Sequence, residues 1–254
     1  MQSRWPARLW IVRHGESAGN VARDLAMASG SSRIDISQRD VDVPLSPLGE
    51  EQALALGRWF STLEEHERPQ VVLTSPYLRA TRTAELIASV GGVASDAPPR
   101  AIDERLRERE FGILDRLTTG GVREFHPEQA EFRRLLGKFY HRPPGGESWC
   151  DVILRLRSAL DTVSLHYAER RVLIIGHQVV VLCLRYLLEN LTEQSLLEID
   201  ATAEVANCGV TEYAFDPQVA PDGALKLLRY NFTAPLEQGG APVTSKPDAI
   251  AGAR

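Results

Sequence analysis

The sequence predicts an α/β protein built on a mostly parallel central sheet, and three observations support this class. Short apolar runs at 9–12, 71–74 and 172–175 have the length and composition of buried strands. Segments with helical periodicity lie between these runs, which is the alternation that a parallel sheet requires. The run at 172–175 is continuously apolar, as a central parallel strand should be. At 254 residues, α/β folds are commonly single domains.

The first predicted strand ends where charge and a glycine arrive together, at Arg13, His14 and Gly15. Ligands of open α/β sheets bind in the crevice outside the carboxyl ends of the strands, so His14 stands where chemistry is expected. Arg13 supplies a planar cationic group suited to phosphate or carboxylate. Gly15 permits a sharp turn and a close approach of the backbone to a bound group.

A polar segment separates this strand from the first clear helix. Residues 21–43 are predicted as a surface loop or a short irregular helix on the rim of the substrate site. Ser46 then suits the N-cap of a helix and Pro47 its first position. The pair at 68–69, Arg-Pro, is predicted to end that helix.

The second predicted strand, 71–74, is followed by a helix predicted over 75–90 and opened by a Ser-Pro pair. Arg79 falls in the first turn of this helix, directly past a strand end. Its guanidinium is therefore expected to reach the same crevice as His14. Residues 91–99 are predicted to be a loop.

The middle of the chain contains a charged run and two helices. Residues 106–112 are so charged that the pattern alone predicts a solvated face and does not single out one glutamate. Helical periodicity follows at 127–139, and Pro-Pro-Gly-Gly at 143–146 stops it. A long amphipathic helix is predicted from about residue 149 to residue 168.

The third apolar run, 172–175, ends in Gly176 and His177, and a buried helix is predicted at 179–189. The opening pattern is thus repeated, because a histidine again follows a buried strand. Two such histidines at the carboxyl edge of one sheet are expected to lie in the same crevice.

The closing part of the domain is predicted to contain two more strands, at 205–215 and 225–232, joined by turns at 216–217 and 221–223. Residues 234–254 are rich in Gly, Pro, Ala and Ser. They are predicted to form a flexible, disordered or loosely packed tail that follows a domain spanning residues 1–233.

Charge and composition bear on the class of function. A net charge of −5 argues against a nucleic-acid surface, so an anion site must be a local cluster of arginines. The three cysteines lack metal-ligand spacing and are interpreted as reduced thiols of a cytoplasmic protein. Neither a signal peptide nor a membrane span is predicted. The remaining histidines lie in polar stretches and are expected at the surface: 66, 126, 141 and 166.

The motifs at the strand ends resemble those of the histidine phosphatase superfamily, which includes cofactor-dependent phosphoglycerate mutases and fructose-2,6-bisphosphatase. The run RHGES at 13–17, with Asn20 six residues after the histidine, resembles the family signature. Residues 75–84 resemble its second phosphate-binding segment, and 106–112 resemble its pattern Leu-x-Glu-x-x-x-Gly. The resemblance covers residues 8–215 and implies a three-layer αβα sandwich of the phosphoglycerate mutase-like type.

The resemblance implies phosphoryl transfer through a histidine. It makes His14 the nucleophile that forms a phosphohistidine, with its other ring nitrogen donating to a backbone carbonyl. It makes Glu108 the general acid and adds His177 to the catalytic set. The phosphate-binding residues that it implies are Arg13, Asn20 and Arg79, and the substrate-binding residues are Ser17, Arg142 and Gln178. No metal and no other cofactor is implied.

The region after the acid glutamate bears on the branch of the family. Phosphoglycerate mutases carry a long insertion there with an arginine-rich run before consecutive prolines, whereas 112–146 is short and the arginine pair at 133–134 lacks that pattern. A short cap favours the entry of water and therefore hydrolysis. Gln178 is closer to fructose-2,6-bisphosphatase, but two basic residues that hold the sugar bisphosphate there are Gly145 and Leu182 here.

We therefore predict a phosphatase of a small phosphorylated metabolite. Two alternatives stay open: a cofactor-dependent phosphoglycerate mutase, and a catalytically idle protein-interaction module. Neither nucleic acid nor a membrane is expected as a partner. The sequence leaves the substrate and the oligomeric state open, a homodimer being one option.

Overall fold

The computed structural model describes residues 4–98, 100–202, 204–219 and 223–245. The strands are β1 (Arg8–Arg13), β2 (Val71–Thr74), β3 (Ala101–Ile102), β4 (Arg171–Gly176), β5 (Val210–Asp216) and β6 (Ala224–Phe232). They form one sheet in the order β3-β2-β4-β1-β5-β6. The first four strands of that order pair in parallel, whereas β5 and β6 are added antiparallel. The predicted mostly parallel sheet is confirmed.

Helices cover both faces of the sheet. They are α1 (Ala18–Ala28), α2 (Pro47–Ser61), α3 (Leu78–Ser89), α4 (Thr119–Phe125), α5 (Pro127–Tyr140), α6 (Trp149–His166), α7 (Gln178–Glu189), α8 (Glu193–Thr202) and α9 (Ala234–Gln238). Because side chains alternate along β1, Leu9 and Ile11 join α6 and α7 in one apolar core. Trp10 and Val12 join α2, α3 and α9 in the other. The three-layer αβα sandwich is confirmed.

The carboxyl ends of three strands meet at one edge of the sheet. Arg13 at the end of β1 lies opposite Gly176 at the end of β4. Thr74 at the end of β2 lies opposite Ile175. The next residue along each of these strands therefore emerges into the same crevice, as the sequence predicts.

The helix α1 corrects the prediction for residues 21–43, which missed a regular helix that begins at Ala18. Ser17 caps this helix, since its Oγ accepts a hydrogen bond from the Asn20 amide at 3.1 Å. Asn20 Oδ1 in turn accepts from the Ser17 amide at 2.9 Å. This reciprocal capping box satisfies two backbone donors that would otherwise have no partner in the helix.

The helix α2 ends at Ser61, earlier than the predicted stop at 68–69, although Ser46 caps its start as predicted. The reason is the side chain of Arg68, which donates to the carbonyls of Ser61 and Leu63 at 2.9 and 3.0 Å. A cation on the last carbonyls of a helix stabilises its end. Residues 65–67 form a separate 3-10 turn.

Other differences concern segments whose local sequence pattern gives little indication of their secondary structure. The helix α3 begins at Leu78 because Ser75 Oγ accepts from the Tyr77 amide at 3.2 Å and holds a turn before it. The helices α4 and α8 were not predicted. The strand β5 begins at Val210, so residues 205–209 precede it as a turn rather than extend it.

The C-terminal segment packs against α2, in the helical layer on one face of the sheet. The helix α9 buries Leu236 completely, and Ala241 is only 5% exposed. The prediction of a loosely packed tail is therefore wrong for 234–241. Residues 246–254 lie outside the described residues, as do Pro99 and the turn residues at 221–222, and the domain boundary at residue 233 stays a prediction.

His141 is 2% exposed, which corrects the expectation that it lies at the surface. Its Nε2 lies 3.3 Å from Gln129 Oε1, and its carbonyl accepts from Arg109. Burial lowers the pKa of His141 to about 4, and the positive charges of Arg133 and Arg109 add to that effect.

The state of the cysteines and the length of the helices bear on two further predictions. Cys183 and Cys208 are buried and Cys150 is half-buried, and all three carry free thiols. Within the described ranges, none of the helices is long and apolar enough to cross a membrane.

Candidate active site

His14 follows β1 directly and is fully buried. Its Nδ1 lies 2.6 Å from the carbonyl oxygen of Gly15, and a carbonyl only accepts, so Nδ1 carries the proton. Its Nε2 accepts a hydrogen bond from Arg79 Nε at 3.2 Å. The neutral imidazole is thus fixed with a lone pair on Nε2, which is the form that a nucleophile requires.

The backbone around His14 is held from three directions. The His14 amide donates to the Gly176 carbonyl at 3.0 Å, which continues the ladder between β1 and β4. The His14 carbonyl accepts from Asn207 Nδ2 at 3.1 Å. The Gly15 amide donates to Thr83 Oγ1 at 3.1 Å, and Thr83 in turn donates to the carbonyl of Arg79. The loop therefore has little freedom to move.

Two glycines allow the loop after His14 to approach α2 closely. A side chain on Gly15 would place its Cβ 2.4 Å from the Gly49 carbonyl oxygen. A side chain on Gly49 would place its Cβ 1.9 Å from the Glu16 carbonyl oxygen. Both distances are too short for any side chain, so this approach depends on glycine at both positions.

A short segment near the C-terminus, 242–244, is also tied to this loop, and we name it the C-terminal strap. Thr244 Oγ1 donates to Asn207 Oδ1 at 3.0 Å, and Asn207 is the residue that holds the His14 carbonyl. Gln52 Nε2 donates to the Pro242 carbonyl at 2.9 Å while Gln52 Oε1 accepts from the Glu16 amide at 2.8 Å. The strap thus supports the loop that carries His14 through two buried amide side chains.

His177 follows β4 and faces His14, their ring centroids being 5.1 Å apart. Its Nε2 lies 2.8 Å from Ser75 Oγ, and its Nδ1 lies 3.8 Å from Glu108 Oε2. Glu108 is 1% exposed, and its Oε1 accepts from the Arg109 amide at 2.7 Å. The structure therefore brings together the three residues predicted to be catalytic, with a carboxyl group beside the two imidazoles.

Two buried guanidinium groups belong to residues that adjoin His14, because Arg13 precedes it in the chain and Arg79 contacts its ring. Arg13 is fully buried, and its Nη1 donates to the Val205 carbonyl at 2.5 Å. Arg79 is 2% exposed and contacts His14 through Nε and Asp40 through Nη1. Buried guanidinium groups next to a nucleophile can neutralise the oxygens of a transferring phosphoryl group.

The other predicted residues divide into two groups. Ser17 and Asn20 lie in the capping box of α1 directly after the nucleophile loop, and Gln178 is the first residue of α7 after His177. Arg142 is different, because its side chain is 61% exposed. It forms a hydrogen-bonded salt bridge with Asp151 in the first turn of α6. Arg142 therefore lies outside the buried set of site residues, and its role in substrate binding stays a prediction.

The sequence reasoning missed several residues of the site. Ser75 contacts His177, and the Tyr77 ring meets that of His177 edge to face with the centroids 5.1 Å apart. The guanidinium carbon of Arg79 lies 4.8 Å from the centroid of the Tyr77 ring. Burial raises the pKa of Tyr77, and the charge of Glu110, which accepts from its hydroxyl at 3.0 Å, raises it further. Two signals were available for Ser75 and Tyr77: both follow the end of β2, and both lie in the segment 75–84 that resembles a phosphate-binding segment of the family.

Comparison with known proteins agrees with the motifs and the geometry. The family model "Histidine phosphatase superfamily (branch 1)" matches residues 9–221. A curated relative, the probable phosphoglycerate mutase GpmB of Photorhabdus laumondii subsp. laumondii, is 31% identical over 179 residues. These residues are 70% of this chain and 72% of the relative.

Solved structures match over almost the whole chain. Bacillus stearothermophilus YhfR has a TM-score of 0.68 at 25% identity and covers 90% of this chain and 98% of its own. A mycobacterial glucosyl-3-phosphoglycerate phosphatase in complex with inorganic phosphate has a TM-score of 0.66 at 22% identity. It covers 90% of this chain and 99% of its own. The family model and these matches agree, and the chain belongs to branch 1 of the histidine phosphatase superfamily.

Proposed function

We propose that this protein is a phosphatase that hydrolyses a small phosphomonoester through a phosphohistidine on His14. The observation that carries the proposal is the state of the His14 ring. Its Nδ1 is committed to the Gly15 carbonyl at 2.6 Å, so Nε2 presents its lone pair beside Arg79. A histidine that served only as a structural hydrogen-bonding group would not need a buried guanidinium at its second nitrogen.

In the first step His14 Nε2 attacks phosphorus. The N–P bond forms as the ester P–O bond breaks, and the departing alcohol oxygen takes a proton from Glu108. Arg13, Arg79 and His177 stabilise the charge on the three non-bridging oxygens. Glu108 is buried 3.8 Å from His177, and it is the carboxyl group to which we assign the supply of that proton.

In the second step water attacks the phosphohistidine. Glu108 accepts a proton from that water, the new P–O bond forms, and the N–P bond breaks. Inorganic phosphate leaves, and His14 regains its lone pair while Glu108 is again protonated. The Gly15 carbonyl holds Nδ1–H throughout both steps.

Hydrolysis rather than isomerisation is the reaction that we favour. The cap after Glu108 consists of a 3-10 turn at 112–114 followed by α4 and α5, and it ends at residue 146. A mutase has to retain its phosphoenzyme until the product reorients, whereas this short cap favours the entry of water. A solved structure with the same fold is named as a glucosyl-3-phosphoglycerate phosphatase. The cytoplasm stays the proposed compartment, which the three free thiols favour.

Phosphoglycerate mutase is the second candidate, because the curated relatives carry that name. A mutase would use the same phosphohistidine and would return the phosphoryl group to the substrate instead of water. The two reactions therefore differ in the fate of one intermediate and can be told apart by their products.

The test measures phosphate release from p-nitrophenyl phosphate and from a panel of phosphomonoesters, without added metal. His14→Ala should lower the rate by roughly 10³-fold or more, as expected for the loss of a nucleophile. His66→Ala removes an exposed histidine and is the matched control, with an unchanged rate expected. Isomerisation of 3-phosphoglycerate faster than phosphate release would establish the mutase. A folded wild-type protein that acts on none of these esters would refute both.

A further inference from the structure

Asp40 lies against the phosphate-binding arginine. It belongs to the 3-10 turn Asp40–Asp42, and its Oδ1 accepts from Arg79 Nη1 at 3.0 Å. Its Oδ2 lies 3.4 Å from Arg79 Nη2, and its backbone carbonyl accepts from Nη1 at 2.6 Å. The third nitrogen of the same guanidinium, Nε, contacts His14 Nε2. One planar group thus separates the Asp40 carboxylate from the nucleophile.

This carboxylate is reachable by a ligand. The Asp40 side chain is 43% exposed, whereas that of Arg79 is 2% exposed. A phosphoryl group placed for attack by His14 would lie about 3–3.5 Å from Nε2. The alcohol part of the ester, which departs away from the nucleophile, must then lie between the phosphoryl group and the mouth of the site, where Asp40 is exposed.

A second carboxylate strengthens the negative charge at this mouth. The pKa of Asp115 is raised, first by burial and then by the charge of Asp40, so the two carboxylates lie close enough to repel each other. Arg116, which pairs with Asp115 at 3.8 Å, and Arg79 act on Asp115 in the opposite direction. The exposed carboxylate of Asp40 is therefore the negative charge that lies directly outside the buried Arg79.

We propose that Asp40 is a specificity residue that selects phosphomonoesters whose alcohol carries no second negative charge. The proposal rests on the proposed function, because it concerns the substrate of that site. Arg79 fixes the position of Asp40, because it donates to both the carboxylate and the backbone carbonyl of that residue. An ester with a carboxylate or a second phosphate near the phosphoryl group meets like charge there, whereas a neutral or cationic alcohol does not.

The test compares two esters that share a three-carbon skeleton. Glycerol 3-phosphate ends in a neutral hydroxymethyl group, and 3-phosphoglycerate ends in a carboxylate. Their affinities are measured as competitive inhibition constants against p-nitrophenyl phosphate, or by calorimetry if that reporter is not hydrolysed. The wild type should bind glycerol 3-phosphate about tenfold more tightly, which corresponds to about 1.4 kcal/mol.

Two variants of the same turn isolate the role of Asp40. Asp40→Asn keeps the size of the side chain and the backbone bond to Arg79 but removes the charge, so the ratio of affinities should fall towards one. Asp42→Asn is the matched control, because Asp42 pairs with the exposed Arg39 rather than with Arg79. It removes one negative charge from the same turn and should keep the ratio within about twofold of the wild type.

Three results would overturn the proposal. One is a wild-type protein that binds 3-phosphoglycerate as tightly as glycerol 3-phosphate. Another is Asp40→Asn with the wild-type ratio, and the third is the same fall in both variants, which would indicate a general effect of net charge. A protein that binds the esters with the expected ratio but releases no phosphate would refute the proposed phosphatase and leave the role of Asp40 supported.

Discussion

Replacement of Gly49 by alanine should disable the site from a position that touches no substrate. Gly49 lies in the first turn of α2, and a Cβ there would lie 1.9 Å from the Glu16 carbonyl oxygen. Real Cβ atoms essentially never come closer than 3.0 Å to such an atom. The Glu16 carbonyl must therefore retreat by roughly 1 Å, and Glu16 is only two residues after His14.

The magnitude follows from that displacement. A misplacement of about 1 Å of a reacting group costs on the order of 10²-fold in rate. The overpacking itself costs about 1–3 kcal/mol of stability, against a gain of up to about 1 kcal/mol from the higher helix propensity of alanine. Gly49→Ala should therefore remain folded, with a modest loss of stability and about a hundredfold loss of kcat/KM.

The assay is hydrolysis of p-nitrophenyl phosphate beside thermal unfolding. Gly120→Ala is the control, because the nearest atom to its new Cβ is Thr118 Oγ1 at an ordinary 3.6 Å. That variant should keep full activity and should gain up to about 1 kcal/mol of stability. Gly49→Ala with activity within threefold of the wild type would refute the view that the close approach to α2 positions the nucleophile.

Two further predictions concern buried side chains around the site. Asn207→Asp keeps an acceptor for Thr244 but loses the donor to the His14 carbonyl. The value of kcat should therefore fall about tenfold, while KM changes less. An unchanged kcat would show that the strap does not position the loop. Folding lowers the pKa of His141 to about 4, so the unfolded protein binds a proton at a higher pH than the folded protein does. The free energy of unfolding should therefore fall by about 2 kcal/mol when the pH is lowered from 7 to 5. Urea denaturation should show this fall in the wild type, and its persistence in His141→Gln would contradict the assignment.

The parts of the site that the sequence predicts well are those with a one-dimensional signature. Each strand that ends in the crevice is a short apolar run, and His14 and His177 stand directly after two of them. Their meeting follows from the parallel register, which the alternation of strands and helices already implies. Glu108 needed the family pattern, because the charge pattern of residues 106–112 does not distinguish it from Glu110.

The parts that failed depend on contacts between distant segments. Asn207 and Thr244 hold the loop of His14 from about 190 and about 230 residues away in the chain, and no local pattern marks either of them. The pairing of Arg142 with Asp151 at the start of α6 is likewise a contact that no local pattern marks. The partner of such a side chain is decided by competition among all of its neighbours in the folded protein. A sequence motif does not contain that information.

The central place of β1 in the sheet has a consequence for how the protein is made. Its hydrogen-bonding neighbours are β4 and β5, which lie at 171–176 and 210–216 in the chain. At 5–20 residues per second, a ribosome needs roughly 10–30 s after making the nucleophile to supply the first of these neighbours. Throughout that interval this apolar strand lacks both of the strands that pair with it in the folded sheet. Chaperone binding to the nascent chain should therefore concentrate on its first residues, and the chemistry should become available only late in synthesis.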